Sequence, residues 1–480
     1  PAASPRAEPG IQLLLRVTGE LDQLAPSMAL SSDASAMNDT ESRPRLNRAL
    51  GLRHLVVYGM IFMVPIAPMA LYGFVAQESH GMVPLVYLIG VVAMLFTALS
   101  YKRLSGVFPV AGSVYSYVQR GWHPYLGFLA GWMILADYLL VPALLYAFSA
   151  TWLRGLLPAV PAWPWVLAFI GFNTAVNVLG ITLQARAHFF LLVLELGALA
   201  VFLAFAVHFV FIAKRGTGGW SIAPFFQSRH LNAGFVASAT SIAVLSFLGF
   251  DAISTLAEET RNPRKTVGNA TVLVLLLLGV IFMAQTYLAA LAHPDYRSLD
   301  AQLGFFDIGR QVGGAWLYVL LLIVNVISSG IANALSAQLA IARILYSMGR
   351  DRALPGSGFL ARVHPRLKTP INATLLVAVL SIVVALGVPE EVLVKLVNFG
   401  ALTAFMLLNV TVFVFFYLKR KQHRRVFSYL VFPGLGLAIV AFVWSGFDRT
   451  TFVFGGAWLL VGVVIGAFRY RNFKSFETAP

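Results

Sequence analysis

Apolar stretches alternate with short polar segments along most of the chain. Twelve such stretches lie between about residues 52 and 469, and several reach the ~20 residues that a helix needs to cross a bilayer core. Runs such as TVLVLLLLGVIFMAQTYLAAL (271–291) lack the polar–apolar alternation of barrel strands. The pattern predicts an all-α membrane protein with 12 transmembrane helices. We number these spans 1 to 12; they cover about 52–76, 82–101, 121–152, 163–182, 188–212, 235–257, 268–292, 312–347, 371–387, 391–417, 427–445 and 451–469.

The distribution of basic residues predicts the orientation of these spans. Twelve spans place both termini on one side, and the segments on that side contain 27 of the 35 Lys and Arg residues. Because cytoplasmic loops carry an excess of Lys and Arg, both termini are predicted to be cytoplasmic. In a soluble protein the net charge of +15 would favour a nucleic-acid partner. Here the charges lie between apolar spans, so we expect the lipid bilayer as a partner and no nucleic acid.

The first 50 residues are polar and lack helical periodicity, which is typical of a disordered cytoplasmic tail. They contain no basic region followed by an apolar stretch and a small-residue cleavage site, so no signal peptide is expected. The segment MNDTESRPRLNRALGL, which begins at Met37, resembles a natural start. We therefore expect residues 1–36 to be an upstream extension, which mass spectrometry of the native mature protein tests.

Motifs of common enzyme classes are absent from the sequence. The chain has no cysteine, which excludes disulfides and thiolate metal sites. Its nine histidines form no HExxH motif, and no GxxxxGK[ST] phosphate loop occurs. We therefore predict neither an enzyme nor an ATP-driven pump, with no cofactor and no metal site. The acids Asp137 and Asp251 leave one enzymatic alternative, an intramembrane aspartyl dyad.

Two of the spans are interrupted at corresponding positions. Span 6 contains the sequence Gly249-Phe250-Asp251, about 185 residues after the interruption in span 1. Paired interrupted helices in two halves of inverted topology point to a substrate site near the membrane midplane. The plain alternative is that Gly and Pro are simply frequent in membrane helices. The interrupting residues of span 1 are Gly59, Pro65, Pro68 and Gly73.

Several blocks of sequence resemble the amino acid–polyamine–organocation permeases. These are AGSVYSYVQRGWHPYLGFLAGW (111–132), SFLGFDAISTLAEETRNPRK (246–265) and LYSMGRDRALP (345–355). The blocks VHPRLKTPINATLL (363–376) and VNFGALTAF (397–405) are most similar to the bacterial putrescine importers. The resemblance extends from about residue 50 to residue 470.

This resemblance implies a leucine-transporter-type fold, a 5+5 inverted repeat with two additional helices. The transport core would cover residues 51–420, with repeat one at about 52–212 and repeat two at about 235–417. Residues 421–470 would form the additional helices, and residues 471–480 a cytoplasmic tail. In such permeases the substrate binds between unwound spans 1 and 6, which implies substrate contacts at Val64, Pro65, Pro68 and Gly249.

Four acidic or aromatic residues are candidates for binding an amine. Asp251 follows the break in span 6, and a carboxylate at membrane depth is a functional-site hypothesis by default. Phe250 corresponds to the aromatic residue that closes over the substrate in relatives, although a plain packing role stays open. Asp137 lies fifteen residues beyond Trp122, near mid-membrane, and the Asp137-Tyr138 pair matches the putrescine importers.

Two carboxylates predict a diamine, whose ammonium groups Asp137 and Asp251 would each bind by charge-assisted hydrogen bonds. Asn325 lies 188 residues after Asp137 and is the equivalent polar position in the second repeat. The importers carry an aspartate in helix 1 where this chain has Ala70, which weakens the case for a dication. A zwitterionic amino acid, bound at the free N–H groups of a half-helix, is therefore an alternative.

Two glutamates are candidates for proton coupling. Glu195 in span 5 is desolvated by neighbouring leucines and occupies a position where many relatives have a lysine. Glu258 comes seven residues after Asp251, near the predicted cytoplasmic end of span 6. The plain alternatives are a structural acid at Glu195 and an interfacial salt-bridge cluster at Glu258.

These features predict a permease of the cytoplasmic (inner) membrane that imports an organic amine by alternating access. Proton-coupled uptake of putrescine or a polyamine is the first hypothesis. An amino acid permease, symporter or exchanger, is the alternative, and a non-transporting sensor with a transporter fold is a minor one. The sequence leaves the oligomeric state open.

Overall fold

In a computed structural model the chain folds into a bundle of helices. The structure describes residues 50–110, 113–180, 185–227, 232–350, 357–367 and 369–473. Most of the two predicted tails, residues 1–49 and 474–480, lies outside these ranges. In the described part of the chain the only β-type pairing is an isolated parallel bridge between Leu50 and Thr260.

Helical structure occupies each of the twelve predicted intervals. In the order of the spans, the main helices are Leu52–Met63 with Ala67–Glu78, Val83–Val107, Pro124–Leu156, Ala162–Val178, Ala185–Val207, Ala233–Ala243, Pro263–Ala292, Ala315–Val326 with Ala334–Arg350, Ile371–Gly387, Glu390–Val412, Phe432–Trp444 and Arg449–Phe473. Span 6 continues as the 3₁₀ helices Val244–Phe247 and Phe250–Glu259. The π-helical segments of spans 5, 8, 10 and 11 are His208–Ile212, Ile327–Asn333, Phe413–Lys419 and Phe427–Val431. Short helices outside the spans are Ser113–Gly121, Tyr296–Ser298, Gly304–Gly313, Ser357–Leu360 and His423–Arg425.

The lengths of these helices support a multi-pass membrane protein. Nine helical stretches of the described chain are long and apolar enough to cross a bilayer, or ten if the two halves of span 1 count as one. Spans 4 and 9 are apolar but have 17 residues each, or about 26 Å at 1.5 Å per residue. An all-helical protein with many spans is thus confirmed, whereas the count of twelve and the 5+5 repeat remain predictions.

Two groups of helices surround the centre of the bundle. Spans 2 and 7 pack side by side along their lengths, and span 7 also contacts the first half of span 1 and the second half of span 6. Span 3 packs against spans 4, 8, 9 and 10. Both broken spans therefore contact the pair formed by spans 2 and 7, and span 6 also contacts span 10.

Spans 1 and 6 are both interrupted, as their Gly and Pro residues predict. Span 1 stops at Met63 and begins again at Ala67, with an angle of 45° between its halves. Between them Val64 has a φ of +54°, a conformation that costs a β-branched residue free energy. In span 6 the chain turns at Gly249, whose φ is +106°.

The two interruptions contact each other. A Cβ atom on Gly249 would lie 2.9 Å from the carbonyl oxygen of Phe62, at the end of the first half of span 1. Carbonyl groups of the two broken spans also accept hydrogen bonds from intact helices, as buried polar backbone requires. Gln285 of span 7 donates to the Pro65 carbonyl at 2.9 Å, and Asn398 of span 10 donates to the Ser241 carbonyl at 2.6 Å. The broken segments are therefore held in place by contacts with intact helices.

Replacement of Gly249 by alanine tests this contact. A methyl group would push against the Phe62 carbonyl and would hold an L-residue at a positive φ, so Gly249→Ala is expected to destabilise the protein by about 1 kcal/mol or more. The melting temperature in detergent should fall by about 1 °C for each kcal/mol lost. Gly171→Ala is the matched control because a Cβ atom there meets nothing within 4 Å. Equal melting temperatures of the two variants would contradict a close approach of the breaks.

Candidate functional site

A cavity of about 1040 Å³ lies beside the two helix breaks. Spans 1, 3, 5, 6, 7 and 8 all contribute to its wall. Val64 and Gly249 line its deep part, whereas the exposed residues Leu52 and Arg53 line it at the start of span 1. The cavity therefore extends from the breaks to the end of the bundle where span 1 begins, which the charge distribution predicts to be cytoplasmic.

The structure brings together six of the predicted substrate-binding residues and leaves three apart. The cavity is lined by Val64, Asp137, Tyr138, Gly249, Asp251 and Asn325. Pro65, Pro68 and Phe250 are buried and are not part of its wall.

Asp251 is positioned by its helix and by a hydroxyl pair. It stands in the first turn of the 3₁₀ helix Phe250–Glu259, where backbone N–H groups are free of intrahelical partners. Ser113 Oγ donates to Asp251 Oδ2 at 3.0 Å, and Ser113 shares a further hydrogen bond of 3.1 Å with Tyr101. Only 6% of the Asp251 surface is exposed, on the cavity side. A ligand in the cavity could therefore donate a hydrogen bond to its carboxylate.

Asp137 and Asn325 contribute polar groups to the cavity from spans 3 and 8. Asp137 and Tyr138 stand on span 3, and Asn325 stands on span 8. The Asn325 amide nitrogen donates to the Leu321 carbonyl at 2.9 Å and to Met69 Sδ at 3.5 Å. Both of its N–H groups are thus used, which leaves the amide oxygen as the group that can accept a bond from a ligand.

Phe250 packs behind the cavity wall in this conformation. It is fully buried, with its ring centroid 5.6 Å from that of Tyr101 and 5.3 Å from that of Phe405. Closure of Phe250 over a substrate stays a prediction, since it would require the ring to leave this cluster.

The two proton-coupling candidates differ in their surroundings. Glu195 is 4% exposed and accepts a hydrogen bond from Ser328 in the π-helical segment of span 8. The next residue, Ser329, lines the cavity. Glu258 is exposed near the end of span 6, two residues before Thr260, which pairs with Leu50. Glu195 is therefore buried against the segment of span 8 that lines the cavity, and Glu258 lies at the surface.

The opposite end of the cavity is closed by contacts that the sequence did not reveal. Gly73 of span 1 contacts the backbone of Asp300 directly, and Gln77 donates to the Leu299 carbonyl at 2.7 Å. Glu390, at the start of span 10, accepts bonds from Thr151 of span 3 at 2.6 Å and from Gln302 at 3.0 Å. Among the described residues, no part of the 293–313 segment lines the cavity.

A buried polar network between spans 3, 4 and 8 was also missed. Asn173 donates to the Gly330 carbonyl at 2.9 Å and to Tyr146 at 3.1 Å. Asn177 donates to Gln338 at 3.2 Å, and Tyr146 donates to the same side chain at 3.3 Å. The sequence signal for this network was the pair Asn173 and Asn177 in the otherwise apolar span 4. Residues four apart share one helix face, so the pair indicates a polar contact with a neighbouring helix.

Comparison with known proteins assigns the chain to a family. The model of the amino acid permease family matches residues 54–473. The chain belongs to the amino acid permease family. It is therefore a multi-pass membrane transporter, and the resemblance noted in its sequence blocks is confirmed.

Individual permeases differ in substrate. The low-affinity putrescine importer PlaP of Escherichia coli K12 is 33% identical over 441 residues, which cover 90% of this chain and 96% of the importer. The branched-chain amino acid permease BcaP of Bacillus subtilis is 30% identical over 466 residues, 89% of this chain and 94% of that permease. The methylthioribose transporter of Bacillus subtilis is 24% identical, over 88% of this chain and 93% of the transporter. These similarities support transport of a small organic molecule and leave its identity open.

The direction in which the cavity opens can be tested with single cysteines, because the chain has none of its own. In vesicles of known orientation, Ser329→Cys should react with an impermeant maleimide from the same side as Gln422→Cys in the exposed loop between spans 10 and 11. Ser445→Cys, in the loop between spans 11 and 12, should react from the other side. If Ser329→Cys followed Ser445→Cys, the cavity would open opposite to the structure.

Proposed function

We propose that this permease imports an organic amine across the cytoplasmic membrane by alternating access, with proton-coupled uptake of putrescine or another polyamine. Both termini are cytoplasmic in this proposal, and the membrane is the inner membrane of a bacterium. The observation that carries it is that two carboxylates, Asp137 and Asp251, line one cavity at a contact between two broken helices.

The chemistry of this cavity favours cations. Two carboxylates at membrane depth are costly unless they are paired or face water, and a diamine provides an ammonium group for each. Hydrogen bonds to charged groups contribute about 1.5–3 kcal/mol each. The ring of Tyr138, beside Asp137 on the cavity wall, provides an aromatic face that also attracts an ammonium group.

An amino acid is the second candidate, and two observations favour it. Ala70 lines the cavity, at the position where the resemblance to the putrescine importers implies an aspartate, so one anion is missing. Apolar side chains also form a large part of the wall, which suits an aliphatic side chain; they include Val141, Leu144, Leu145 and Phe148. The similarity to a branched-chain amino acid permease agrees with this alternative.

A sensor that does not transport would bind a ligand without counterflow of labelled substrate.

The shape of the cavity supports alternating access. It opens at the end where span 1 begins and is closed at the other end by the contacts of Gly73, Gln77 and Glu390. We interpret this conformation as the inward-open state. A substrate would be released into the cytoplasm from this state. Entry of a new substrate from outside would require the contacts of Gly73, Gln77 and Glu390 at the closed end to separate.

Glu195 is the proposed proton site. It is buried and hydrogen-bonded to Ser328, the neighbour in sequence of Ser329, which lines the cavity. A proton on this carboxyl group would alter the bond with Ser328 and thus the π-helical segment that carries Ser329. Protonation and occupancy of the cavity would in this way be linked through span 8.

The diamine proposal predicts the effect of neutralising one acid. Asp137→Asn keeps the shape of the side chain but removes one anion, so the affinity for putrescine should fall roughly 10-fold to 100-fold. Competition by a neutral amino acid should be nearly unchanged, because its single ammonium group retains Asp251. Affinities are measured by competition in proteoliposomes with putrescine, spermidine, lysine, glutamate and neutral amino acids. If only zwitterionic amino acids compete with the wild type, the substrate is an amino acid.

Proton coupling predicts different behaviour of two glutamate variants. Glu195→Gln retains hydrogen bonding but cannot release a proton, so uptake should lose its dependence on an imposed pH gradient while binding persists. Glu258→Gln is the matched variant and should keep gradient-driven uptake if Glu195 is the coupling site. Uptake is followed in proteoliposomes with and without the gradient. If Glu195→Gln kept gradient-driven uptake, Glu195 would not be the proton-coupling residue and another group would have that function.

A further inference from the structure

A cluster of positive charge lies at the end of spans 10 and 11, away from the cavity. Residues 419–425 read KRKQHRR and connect the π-helical segments Phe413–Lys419 and Phe427–Val431. We call residues 419–425 the basic loop; all of its side chains are exposed. No Asp or Glu occurs between Glu391 and Asp448 in the sequence, so no acidic neighbour along the chain compensates these charges.

Contacts with the bundle hold the first part of the basic loop in place. Lys419 Nζ donates to the Trp122 carbonyl at 2.7 Å, and the Arg420 guanidinium lies 4.5 Å from the centre of the Phe415 ring. The side chains of Arg424 and Arg425 donate no hydrogen bond and form no ion pair within the residues that the structure describes. The loop is thus anchored at one end and presents free guanidinium groups at the other.

A further arginine approaches from span 2. Arg103 Nη2 donates to Ser428 Oγ at 3.0 Å, and its guanidinium lies 5.9 Å from the centre of the Tyr429 ring. Tyr429 in turn stacks on Phe416 at 4.4 Å. Arg103 is therefore fixed beside the start of span 11, and its remaining N–H groups add to the charge of the loop.

Apolar side chains flank the same charges. Phe427 is 71% exposed, Leu418 is 51% exposed and Leu430 is 37% exposed. These three residues belong to the helical ends that meet the basic loop, where the apolar spans predict the membrane surface. Guanidinium groups next to exposed apolar side chains match a ligand with an anionic headgroup and acyl chains.

We propose that the basic loop and Arg103 form a binding site for the phosphate headgroup of an anionic membrane lipid, with Phe427 and Leu418 against its acyl chains. Clusters of basic residues at the cytoplasmic end of a span attract anionic lipids. The positive-inside rule accounts for Lys and Arg in this loop, but it requires neither a fixed Arg103 nor exposed apolar neighbours. Span 10 packs against span 3, which carries Asp137, so a bound lipid would stabilise the scaffold on one side of the cavity.

Lipid binding to the full-length protein in non-ionic detergent tests this site. Native mass spectrometry would follow titrations with phosphatidylglycerol, phosphatidylcholine and inorganic phosphate. Phosphatidylglycerol should bind in discrete steps, more tightly than phosphatidylcholine and than free phosphate. Each lost charge should weaken binding about 5-fold, and Arg424→Gln/Arg425→Gln about 25-fold. The matched control is Arg362→Gln/Arg366→Gln, which removes two exposed charges from the predicted same side.

The outcomes distinguish a specific site for the lipid headgroup from non-specific electrostatic attraction of anionic lipids. If both double variants lost the same affinity for phosphatidylglycerol, only the total charge of the protein would matter. That result would overturn the proposed site. Equal binding of phosphatidylglycerol and phosphatidylcholine would overturn it as well. If inorganic phosphate competed fully with the lipid, the site would be one for free phosphate. Both variants can be checked for folding by their melting temperatures without added lipid.

Discussion

The contact between the two helix breaks is the constraint on which the centre of this permease depends. Lipid offers no hydrogen bonds, so broken helices persist at membrane depth only where protein or a polar cavity satisfies their backbone. Here Gly249 lies against the Phe62 carbonyl, and the amides of Gln285 and Asn398 bind carbonyls near each break. The polar groups that remain face one cavity, which is why the candidate ligand-binding groups lie together.

The acids of the membrane interior follow the same rule. Asp251 faces the cavity and accepts a bond from Ser113, and Glu195 accepts one from Ser328. Asp137 lines the cavity wall on span 3. A buried carboxylate without such a partner would carry a desolvation cost that packing cannot offset. The positions of these acids are therefore tied to the cavity and to the π-helical segment of span 8 rather than to general packing.

The sequence revealed the features that depend on composition. Apolar runs located the helices, and Gly, Pro and single acids inside them located the breaks and six of the residues that line the cavity. It could not show that Phe250 points into a neighbouring cluster while Asp251 lines the cavity. Adjacent residues of a 3₁₀ helix point about 120° apart, so Phe250 and Asp251 face different directions. The amino-acid sequence does not indicate that this segment is a 3₁₀ helix. Glu390 was equally hidden, because its partners lie 239 and 88 residues away.

The two ends of the central helices are joined in different ways, and this difference bears on how the cavity could close. At the open end the backbone of Leu50 exchanges bonds of 3.1 and 2.8 Å with Glu259 and Arg261, and Gly59 packs on Ile253. Backbone pairing and close packing make the first half of span 1 and the second half of span 6 one unit. At the closed end the bonds of Glu390 and Gln77 involve side chains, which can rotate away individually. A change that closes the mouth would therefore move both half-spans together. At the outer end Gly73, which packs on the backbone of Asp300, would have to separate along with the side-chain bonds of Glu390 and Gln77.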